Sequence, residues 1–436
     1  MNGGELARAL APARVVVCAG TGGVGKTTTS AAIALAAARA GEHVAVLTID
    51  PARRLADALG VDLEGGDGDA AHAIAVDGDG SLAVFTLDSR RTFDRLVDRF
   101  APDAATRERI LANALYQQIV TTVAGSAEYA ALERVYEIAE DARFDRIVVD
   151  TPPAQHALEF LEAPMRIAEF LDSRLVALLL QPTLAAGRVG LRLFERAAHS
   201  VLALIERVSG LAFLEDLSEL LIALESLTEG LRGRAQGLSA LLRSDATRFV
   251  VVTGPSTEAA RAADRFLDQL DALDVRVAGV VANRVRTWPD DAVAPDALAR
   301  FADGGADDDA RRALALRLEP ALGERADAGA RAAFALASGY AAQVLADRRA
   351  LEPLAARARS AGRFFHRVPE LAADVHDVDG LDAIVAALFG ETAARASAAP
   401  EGPTNEGRAT SGRAATEGAG TDGAGIDGAG TGGAKT

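Results

Sequence analysis

The stretch that decides the fold runs from Val15 to Thr28 and reads Val-Val-Val-Cys-Ala-Gly-Thr-Gly-Gly-Val-Gly-Lys-Thr-Thr. Its β-branched beginning predicts a buried parallel strand, and the alanine-rich residues that follow predict a helix ending at Gly41. The glycines in between fit the phosphate-binding pattern G-x-x-x-x-G-K-[ST]. Strand, glycine loop and helix in this order place backbone N–H groups and the positive end of a helix around an anion. The stretch therefore predicts a nucleotide site.

Lys26 is the only lysine among the first 434 residues, although lysine and arginine together number 46. A lone lysine among so many arginines indicates a position where a guanidinium group does not fit. The slim ammonium group can reach the β- and γ-phosphates inside such a loop as a point charge, whereas the flat guanidinium fork is too wide. The hydroxyl of Thr27 is the expected ligand of Mg²⁺.

A second candidate residue, Asp50, follows an apolar, β-rich segment from His43 to Ile49. A carboxylate at the carboxyl end of a parallel strand lies in the crevice where open α/β sheets bind ligands. There Asp50 could orient or deprotonate the water that attacks a γ-phosphate, and we count it among the candidate metal ligands. The alternative, compatible with the first, is that Asp50 is the N-cap of a helix from Ala52 to Leu59.

The third candidate, Asp150, ends the strand-like segment that begins at Phe144. An apolar strand ending in aspartate is typical of the Walker B pattern, in which the carboxylate holds Mg²⁺, often through a water molecule. Thr151, Pro152 and Pro153 follow, and the two prolines predict a stiff loop, with no helix immediately after the strand. Such a loop suits a switch that moves as one piece when the γ-phosphate leaves. A strand followed by a plain turn is the alternative.

The composition narrows the class of protein. The chain has 436 residues, 49% of them hydrophobic, which suffices for a large core. The net charge of −16 argues against nucleic acid or an anionic membrane surface as the main partner. No secretion signal is visible, and no apolar run approaches the roughly 20 residues that span a bilayer. Cys18 is the one cysteine, which excludes an internal disulfide, and we expect it in the core. These features predict a soluble cytoplasmic protein.

Three spaced blocks of the sequence resemble the ArsA family of ATPases. They are Gly22-Gly23-Val24-Gly25-Lys26-Thr27-Thr28, Thr48-Ile49-Asp50-Pro51-Ala52, and Asp150-Thr151-Pro152-Pro153 with His156-Ala157-Leu158. The resemblance extends weakly to Asn283, which reads adenine in the family, and to Pro369, in a segment similar to the family's base-covering loop. It implies a doubly wound, mostly parallel α/β sheet of the P-loop NTPase class with a deviant Walker A motif. It also implies ATP and Mg²⁺ as cofactors, bound by Gly22 to Thr28 with Asn283 and Pro369, in a nucleotide-sandwich dimer.

Within the family, the chain is most similar to an actinobacterial branch whose members work as pairs of unlike paralogues. The family normally has a lysine directly before Gly22 that reaches the partner's γ-phosphate, and here that position is Thr21. A cation supplied in trans is worth roughly 10³–10⁵ in the rate of phosphoryl transfer. We therefore expect a heterodimer with a lysine-bearing paralogue and one competent site, since a self-paired dimer would lack this lysine at both sites. Alternatively, Arg53 or Arg54 replaces the lost charge.

The client is not evident from the sequence. The resembled family includes an arsenite pump, which binds arsenite through several thiols, and a tail-anchored-protein targeting ATPase, whose dimer is held by zinc at Cys-x-x-Cys pairs. This chain has Cys18 alone, so we expect neither arsenite nor such a zinc site. We expect an ATPase that passes a conformational change to an unknown protein or membrane-associated client, with no nucleic acid partner. The alternative is an ATP-binding regulatory scaffold with little hydrolysis. Thr21 favours the scaffold, and the presence of Asp50 and Asp150 favours turnover.

Residues 157–245 are unusually apolar and predict a helical insertion within an ATPase domain of residues 1–392. Leucines recur there at spacings of three and four, interrupted by Arg234. This pattern predicts either a subdomain that packs on the sheet or on itself, or a surface for a hydrophobic helix or partner coil. Gly230, Gly233 and Gly237 each lower helix stability by roughly 1 kcal/mol relative to alanine, so a hairpin that rearranges with the nucleotide is a further hypothesis.

The second half of the domain predicts strands at 249–253 and 275–282 and a helical pair from Arg311 to Arg359. Residues 289–309 are acidic and predict an exposed insertion. Trp288 has two open interpretations, because it could cover adenine or pack at the edge of a loop.

The last part of the chain, residues 393–436, is rich in glycine, alanine and threonine, and its residues 416–430 repeat with a period of five. Too few apolar groups remain there to offset the entropy of ordering, which predicts a disordered tail.

Overall fold

The computed structural model describes residues 3–49, 54–59, 71–122, 126–172, 220, 227–290, 293–304, 308–372, 375 and 378–390. Its sheet contains β1 (Val15–Gly20), β2 (His43–Thr48), β3 (His72–Ile74), β4 (Ser81–Thr86), β5 (Arg146–Asp150), β6 (Thr247–Thr253), β7 (Val277–Val285) and β8 (Phe364–Pro369). The strands lie in the order β3-β4-β2-β5-β1-β6-β7-β8. Every neighbouring pair is parallel except β3 and β4, which are antiparallel.

Helices cover both faces of this sheet. They are α1 (Gly3–Leu10), α2 (Lys26–Arg39), α3 (Arg54–Leu59), α4 (Ser89–Phe100), α5 (Ala104–Ala112), α6 (Ala114–Thr122), α7 (Ser126–Glu140), α8 (Ala154–Asp172), α9 (Thr228–Arg243), α10 (Thr257–Ala272), α11 (Pro295–Ala302), α12 (Asp308–Leu322), α13 (Ala326–Ser360) and α14 (Val378–Phe389). One core gathers residues of α4, α7, α8, α9, α10 and α13, and the other gathers residues of α1, α2, α3 and α14. The predicted doubly wound, mostly parallel α/β fold is confirmed. Within the part of the chain described here, no helix combines the length and the apolarity that crossing a bilayer requires.

The central strand β1 shows why this sequence forms a two-sided sheet. All six of its residues are buried. Val15 and Val17 point into the core on one face, while Val16 and Cys18 point into the core on the other. A strand covered on both faces needs apolar side chains at every position rather than at alternate ones. The expectation that Cys18 is a core residue is confirmed, since it is fully buried.

Helix α2 follows the glycine loop and ends where the sequence predicted. Its cap residue is Ala40, and Gly41 has a φ of 95°. This left-handed conformation favours glycine and closes the helix. Because five of the eleven buried residues of α2 are alanines, the helix can lie close to the strands that it covers.

The predicted helical insertion, residues 157–245, is described only in part. Residues 173–219 and 221–226 lie outside the described residues, and so does the predicted tail. In the described part, Leu227, Leu238 and Leu242 are buried. Leu238 and Leu242 belong to the core against the sheet, which supports the packing interpretation for this end of the leucine series.

Two glycines of α9 allow aromatic rings to pack closely on the helix. A β-carbon at Gly230 would lie 2.3 Å from the ring of Phe100, and one at Gly237 would lie 2.7 Å from the hydroxyl of Tyr136. Glycine lets these aromatic rings approach the helix backbone. For these two positions, packing therefore accounts for the glycine, and the hypothesis of a hairpin that rearranges with the nucleotide stays a prediction.

The described residues of the predicted exposed insertion at 289–309 are exposed or half-buried apart from Leu298. Residues 295–302 form α11, whose Leu298 is buried against Ala341 and Val344 of α13. The ring of Trp288 lies 5.7 Å from that of Phe301, which supports the packing interpretation of this tryptophan. The helical pair predicted from Arg311 to Arg359 is confirmed as α12 and α13.

Candidate functional site

The glycine loop between β1 and α2 takes a path that side chains would block. Gly23 and Gly25 have φ values of 75° and 89°, in the left-handed region where glycine is favoured. A β-carbon at Gly20 would lie 2.0 Å from the carbonyl oxygen of Val252 on β6. Gly22 and Gly23 are exposed, whereas Val24 is buried in the core beneath the loop. The loop is thus anchored from below and open above.

The amino end of α2 faces this opening with its N–H groups uncapped by any side chain. Gly25 is the N-cap residue and has no side chain to accept from the first turn. Orphan N–H groups at the start of a helix, together with the helix dipole, attract anions. The predicted phosphate-binding residues Lys26, Thr27 and Thr28 form this first turn. The structure therefore places the predicted cradle at a helix amino end.

Lys26 curls back over the loop that precedes it. Its ammonium nitrogen donates to the carbonyl oxygen of Thr21 at 3.0 Å, and the residue is only 8% exposed. The partner is a backbone oxygen, so this contact does not depend on the side chain at position 21. The ammonium group is held at the loop, where a triphosphate would need it.

Thr27 and Asp150 come together although 123 positions separate them in the chain. Thr27 Oγ1 donates to Asp150 Oδ2 at 2.8 Å, and Ser30 Oγ lies 3.4 Å from Asp150 Oδ1. Asp150 is 1% exposed at the end of β5, the strand directly beside β1. Hydroxyl and carboxylate oxygens are the hard ligands that Mg²⁺ prefers, and Mg²⁺ at phosphate sites uses one or two carboxylates and keeps several waters. These residues fit the predicted ion.

The predicted residue Asp50 lies outside the described residues, together with Pro51, Ala52 and Arg53. The described chain leads up to it along β2, where Thr48 is the register partner of Asp150. The N–H of Ile49 donates to the carbonyl oxygen of Asp150 at 3.2 Å. The strand before Asp50 therefore ends at the same edge of the sheet as the Thr27–Asp150 pair. The role of Asp50 stays a prediction.

The loop after Asp150 lies against the glycine loop. Thr151 Oγ1 donates to the carbonyl oxygen of Cys18 on β1 at 2.8 Å, and a β-carbon at Gly22 would lie 3.9 Å from Pro153. The prediction that no helix begins immediately after the strand is confirmed, since residues 151–153 form a loop before α8. The carbonyl oxygen of Pro153 accepts from Ala157, and α8 begins at the next residue. Proline lacks an N–H group, but its carbonyl can still start a helix.

Asn283 and Pro369 lie on neighbouring strands at this edge of the sheet. Asn283 is 6% exposed, and its Nδ2 donates to the carbonyl oxygen of Val24 in the glycine loop at 3.0 Å. Pro369 ends β8 and pairs with Val285 of β7. The structure thus brings Asn283 into direct contact with the predicted cradle, while Pro369 contacts the next strand. The predicted roles of both residues toward adenine stay predictions.

Sequence reasoning missed two residues that complete the site. Ser30 follows Lys26 by four positions, and this spacing places both on one side of a helix. Ser30 Oγ lies 3.0 Å from the carbonyl oxygen of Lys26 as well as close to Asp150. Thr151, the second, ties the loop after β5 to β1. The helical spacing could have revealed Ser30, whereas the partner of Thr151 depends on strand order.

The thiol of Cys18 lies beneath these groups and is chemically quiet. Burial raises the pKa of Cys18 to about 12, and the nearby carboxylate of Asp150 acts in the same direction. A thiol that stays protonated is a poor nucleophile and a poor metal ligand. Cys18 therefore supports the loop as a small apolar side chain.

Comparison with known proteins gives one matching family. The ArsA ATPase family model, described as "Anion-transporting ATPase", matches residues 13–295. The matched region contains β1, α2, β5 and β7, and with them the glycine loop, Asp150 and Asn283.

Three relatives are identical to this chain at a quarter to a third of the aligned positions. "ATPase get3" of Aspergillus terreus is 26% identical over 273 residues, which are 62% of this chain and 73% of the relative. "ATPase GET3" of Malassezia globosa is 28% identical over 149 residues, 34% of this chain and 42% of the relative. "Protein Rv2184c" of Mycobacterium tuberculosis is 33% identical over 170 residues, 37% of this chain and 40% of the relative. The chain thus spans less than half the length of two of these three relatives.

Proposed function

The chain belongs to the ArsA family of ATPases, and we propose that it binds ATP with Mg²⁺ at the glycine loop and hydrolyses it to ADP and phosphate. The observation that carries this proposal is the 2.8 Å contact between Thr27 and Asp150 beside the uncapped end of α2. A glycine loop alone could be a plain turn. A glycine loop with a hydroxyl and a buried carboxylate aligned at its end has the groups that a metal–triphosphate complex requires.

Each residue of the site has a role in this proposal. The N–H groups of the loop and the ammonium of Lys26 bind the phosphate oxygens and reduce their mutual repulsion. Thr27 and Asp150 would hold Mg²⁺, which when bound neutralises charge on the β- and γ-phosphates. Asp50 orients the attacking water, whose oxygen bonds to the γ-phosphorus as the bond to the β–γ bridging oxygen breaks. Asn283 and Pro369 would contact the adenine.

We propose that the competent form is a nucleotide-sandwich heterodimer with a lysine-bearing paralogue. Thr21 stands where the family supplies a lysine to the partner's phosphates, and threonine carries no charge. This chain's own site would then receive the paralogue's lysine, while the paralogue's site would receive none. The client would be a protein or a membrane-associated molecule in the cytoplasm, contacted through the helical region 157–245.

The test compares two aspartates at opposite ends of the same strand. Asp150→Asn removes the charge at the carboxyl end of β5, whereas Asp145→Asn changes the residue just before its amino end, where Asp145 accepts from the N–H of His43. ATP turnover is measured for the chain alone and mixed with its paralogue. We expect a loss of roughly 10- to 100-fold or more for Asp150→Asn, the range typical of groups that hold a metal through water. Equal turnover of the two variants would refute the proposal.

A second candidate function is that of an ATP-binding regulatory scaffold, and Thr21 is the observation that favours it. Such a subunit would bind ATP tightly and turn it over slowly even beside its paralogue. Single-turnover measurements of the mixture distinguish the two functions, because only the ATPase releases phosphate from the site of this chain at a rate that depends on Asp150.

A further inference from the structure

Asn283 reaches the glycine loop because strand β7 is irregular at this residue. The pairing of β7 with β8 shifts register between Ala282 and Val285, and Arg284 has a φ of 57°. Ala282 and Val285 both enter the same core, although residues three apart on a regular strand point to opposite faces. An irregularity of this kind re-aims side chains at the end of a strand. Asn283 is the buried polar residue inside it.

The amide of Asn283 lies directly on one peptide unit of the loop. Its Nδ2 donates to the carbonyl oxygen of Val24 at 3.0 Å. A β-carbon at Gly25 would lie 2.1 Å from the same nitrogen, so only glycine leaves room for this contact. Both observations concern the same edge of the peptide unit 24–25, because in a trans peptide the carbonyl oxygen lies on the same side as the following Cα. Together they show that Asn283 fits closely against that unit.

Holding this carbonyl also fixes the N–H group on the other side of the unit. A trans peptide is planar, so the N–H of Gly25 points opposite to the carbonyl of Val24 and hence away from Asn283. Gly25 has a φ of 89°, and glycine permits a peptide unit to rotate more readily than other residues do. Phosphate binding by such loops depends on N–H groups that all point inward. A brace on the carbonyl would keep this one pointing inward before any ligand arrives.

We propose that Asn283 is a positioning residue for the phosphate cradle, acting on the peptide unit 24–25 independently of any base. This inference rests on the proposed function, because it concerns how the cradle holds a triphosphate. A buried hydrogen bond of this type changes an equilibrium constant by roughly 2- to 12-fold. Asn283 therefore contributes that factor to the binding of any polyphosphate, in addition to whatever it contributes toward adenine.

The experiment uses a ligand that has no base. Binding of inorganic triphosphate with Mg²⁺ and of ATP with Mg²⁺ is measured by calorimetry for the wild type, Asn283→Ala and Asn283→Asp. The aspartate variant keeps the shape of the side chain but cannot donate to Val24. Asn113→Ala is the matched control, since Asn113 is also 6% exposed but caps α6 through the N–H groups of Leu115 and Tyr116. Circular dichroism confirms that each variant is folded.

We expect both Asn283 variants to weaken triphosphate binding by roughly 2- to 12-fold, and Asn113→Ala to leave it unchanged. Unchanged triphosphate affinity with weakened ATP affinity would overturn the inference and leave Asn283 with a role toward the base alone. Hydrogen exchange of the loop, residues 20–30, in the absence of ligand provides a second readout. Faster exchange in Asn283→Ala than in Asn113→Ala supports the brace, and equal exchange contradicts it. If the wild type binds neither ligand, the proposed function fails, and the exchange result still decides whether the brace exists.

Discussion

Arg234 Nε lies 2.5 Å from Glu133 Oε1, and both side chains are at most 5% exposed. This pair joins α9 to α7 across 101 positions of the chain. The guanidinium group also contacts Glu140 at 2.9 Å and lies 4.1 Å above the ring of Tyr136. Helix α9, at the end of the apolar region 157–245, is therefore held against α7 by a buried ion pair.

Replacing Arg234 by a neutral residue should lower the free energy of unfolding. Arg234→Met keeps an apolar stem of similar reach but leaves the carboxylate of Glu133 buried without its cation. Removing one partner of a buried ion pair costs about 3–5 kcal/mol, and we expect a loss of that size in the free energy of unfolding measured with urea. The control is Arg166→Met, whose exposed pair with Glu162 should contribute at most about 1 kcal/mol. Losses of equal size would contradict the prediction, and Glu133→Met combined with Arg234→Met should restore most of the stability.

The cost of Arg234→Met should shrink in acid. Burial raises the pKa of Glu133 even with Arg234 in place, and without the cation this pKa rises further. A carboxyl group with a higher pKa in the folded state binds more protons when folded, so lowering the pH favours the folded form. The stability gap between wild type and Arg234→Met should thus be full above the pKa that Glu133 has in the variant, and should narrow as the pH falls to the pKa of Glu133 in the folded wild type, because the unfolded state is common to both proteins. Urea unfolding at neutral and mildly acidic pH checks this, and a gap that widens in acid would refute it.

Two glycines of α9 should respond oppositely to the same substitution. Gly230→Ala gains helix propensity but places a β-carbon 2.3 Å from the ring of Phe100. Overpacking of this kind costs about 1–3 kcal/mol. Gly233→Ala meets nothing within 4 Å and should stabilise the protein by about 0.5–1 kcal/mol. Thermal unfolding of the two variants tests the pair, and stabilisation by Gly230→Ala would show that the helix is not held against Phe100.

The single thiol of the chain should be inert until the protein opens. With a pKa of about 12, Cys18 is a thiolate in roughly one molecule in ten thousand near pH 8. We expect almost no modification of the native protein by iodoacetamide, and one modified thiol per chain in concentrated guanidinium chloride. Because Cys18 lies beneath the glycine loop, bound ATP should slow any residual reaction of the native protein with iodoacetamide. Rapid native labelling would place Cys18 at the surface and contradict the structure.

Restoring the missing cation should release activity in the isolated chain. Thr21→Lys supplies the ammonium group that the proposed dimer otherwise takes from its paralogue, and each chain of a self-paired dimer would then offer it. Cations supplied in trans are worth roughly 10³–10⁵ in rate, so even a poorly aligned lysine should raise turnover measurably. Thr21→Ser is the control, with the wild-type rate expected. No gain for Thr21→Lys, when the wild type is active beside its paralogue, would show that Thr21 does not account for the requirement.

Much of the phosphate cradle could be predicted because its signals are local. The spacing of Gly20, Gly25 and Lys26 defines the loop, and the apolar runs before Gly20 and Asp150 define two adjacent strands. The meeting of Thr27 with Asp150 then follows from the general rule that carboxyl ends of parallel strands share an edge. The five predicted strands agree with the structure to within three residues at each end for the same reason, whereas β3, β4 and β8 were not predicted.

Contacts between distant segments could not be predicted in this way. Arg234 interrupts a leucine pattern in the sequence, and no local signal indicates that Glu133 holds it in the interior. Gly230 looks like a weak point of the helix in the sequence. The ring of Phe100, which packs against it, is 130 positions away and could not be foreseen. Asn283 resembled a reader of adenine, and its bond to Val24 depends on an irregular strand end that no propensity scale reveals.

The outermost strands of the sheet have a consequence for how this chain can associate. On one side β3 has only three residues. On the other side β8 carries the exposed Arg367 and ends at Pro369, which has no N–H group to offer. Short, charged or proline-ended borders discourage a foreign strand from aligning there. We therefore expect partners to bind the loops and helices of the protein. The surfaces of these elements can change with the bound ligand while the sheet beneath them stays the same.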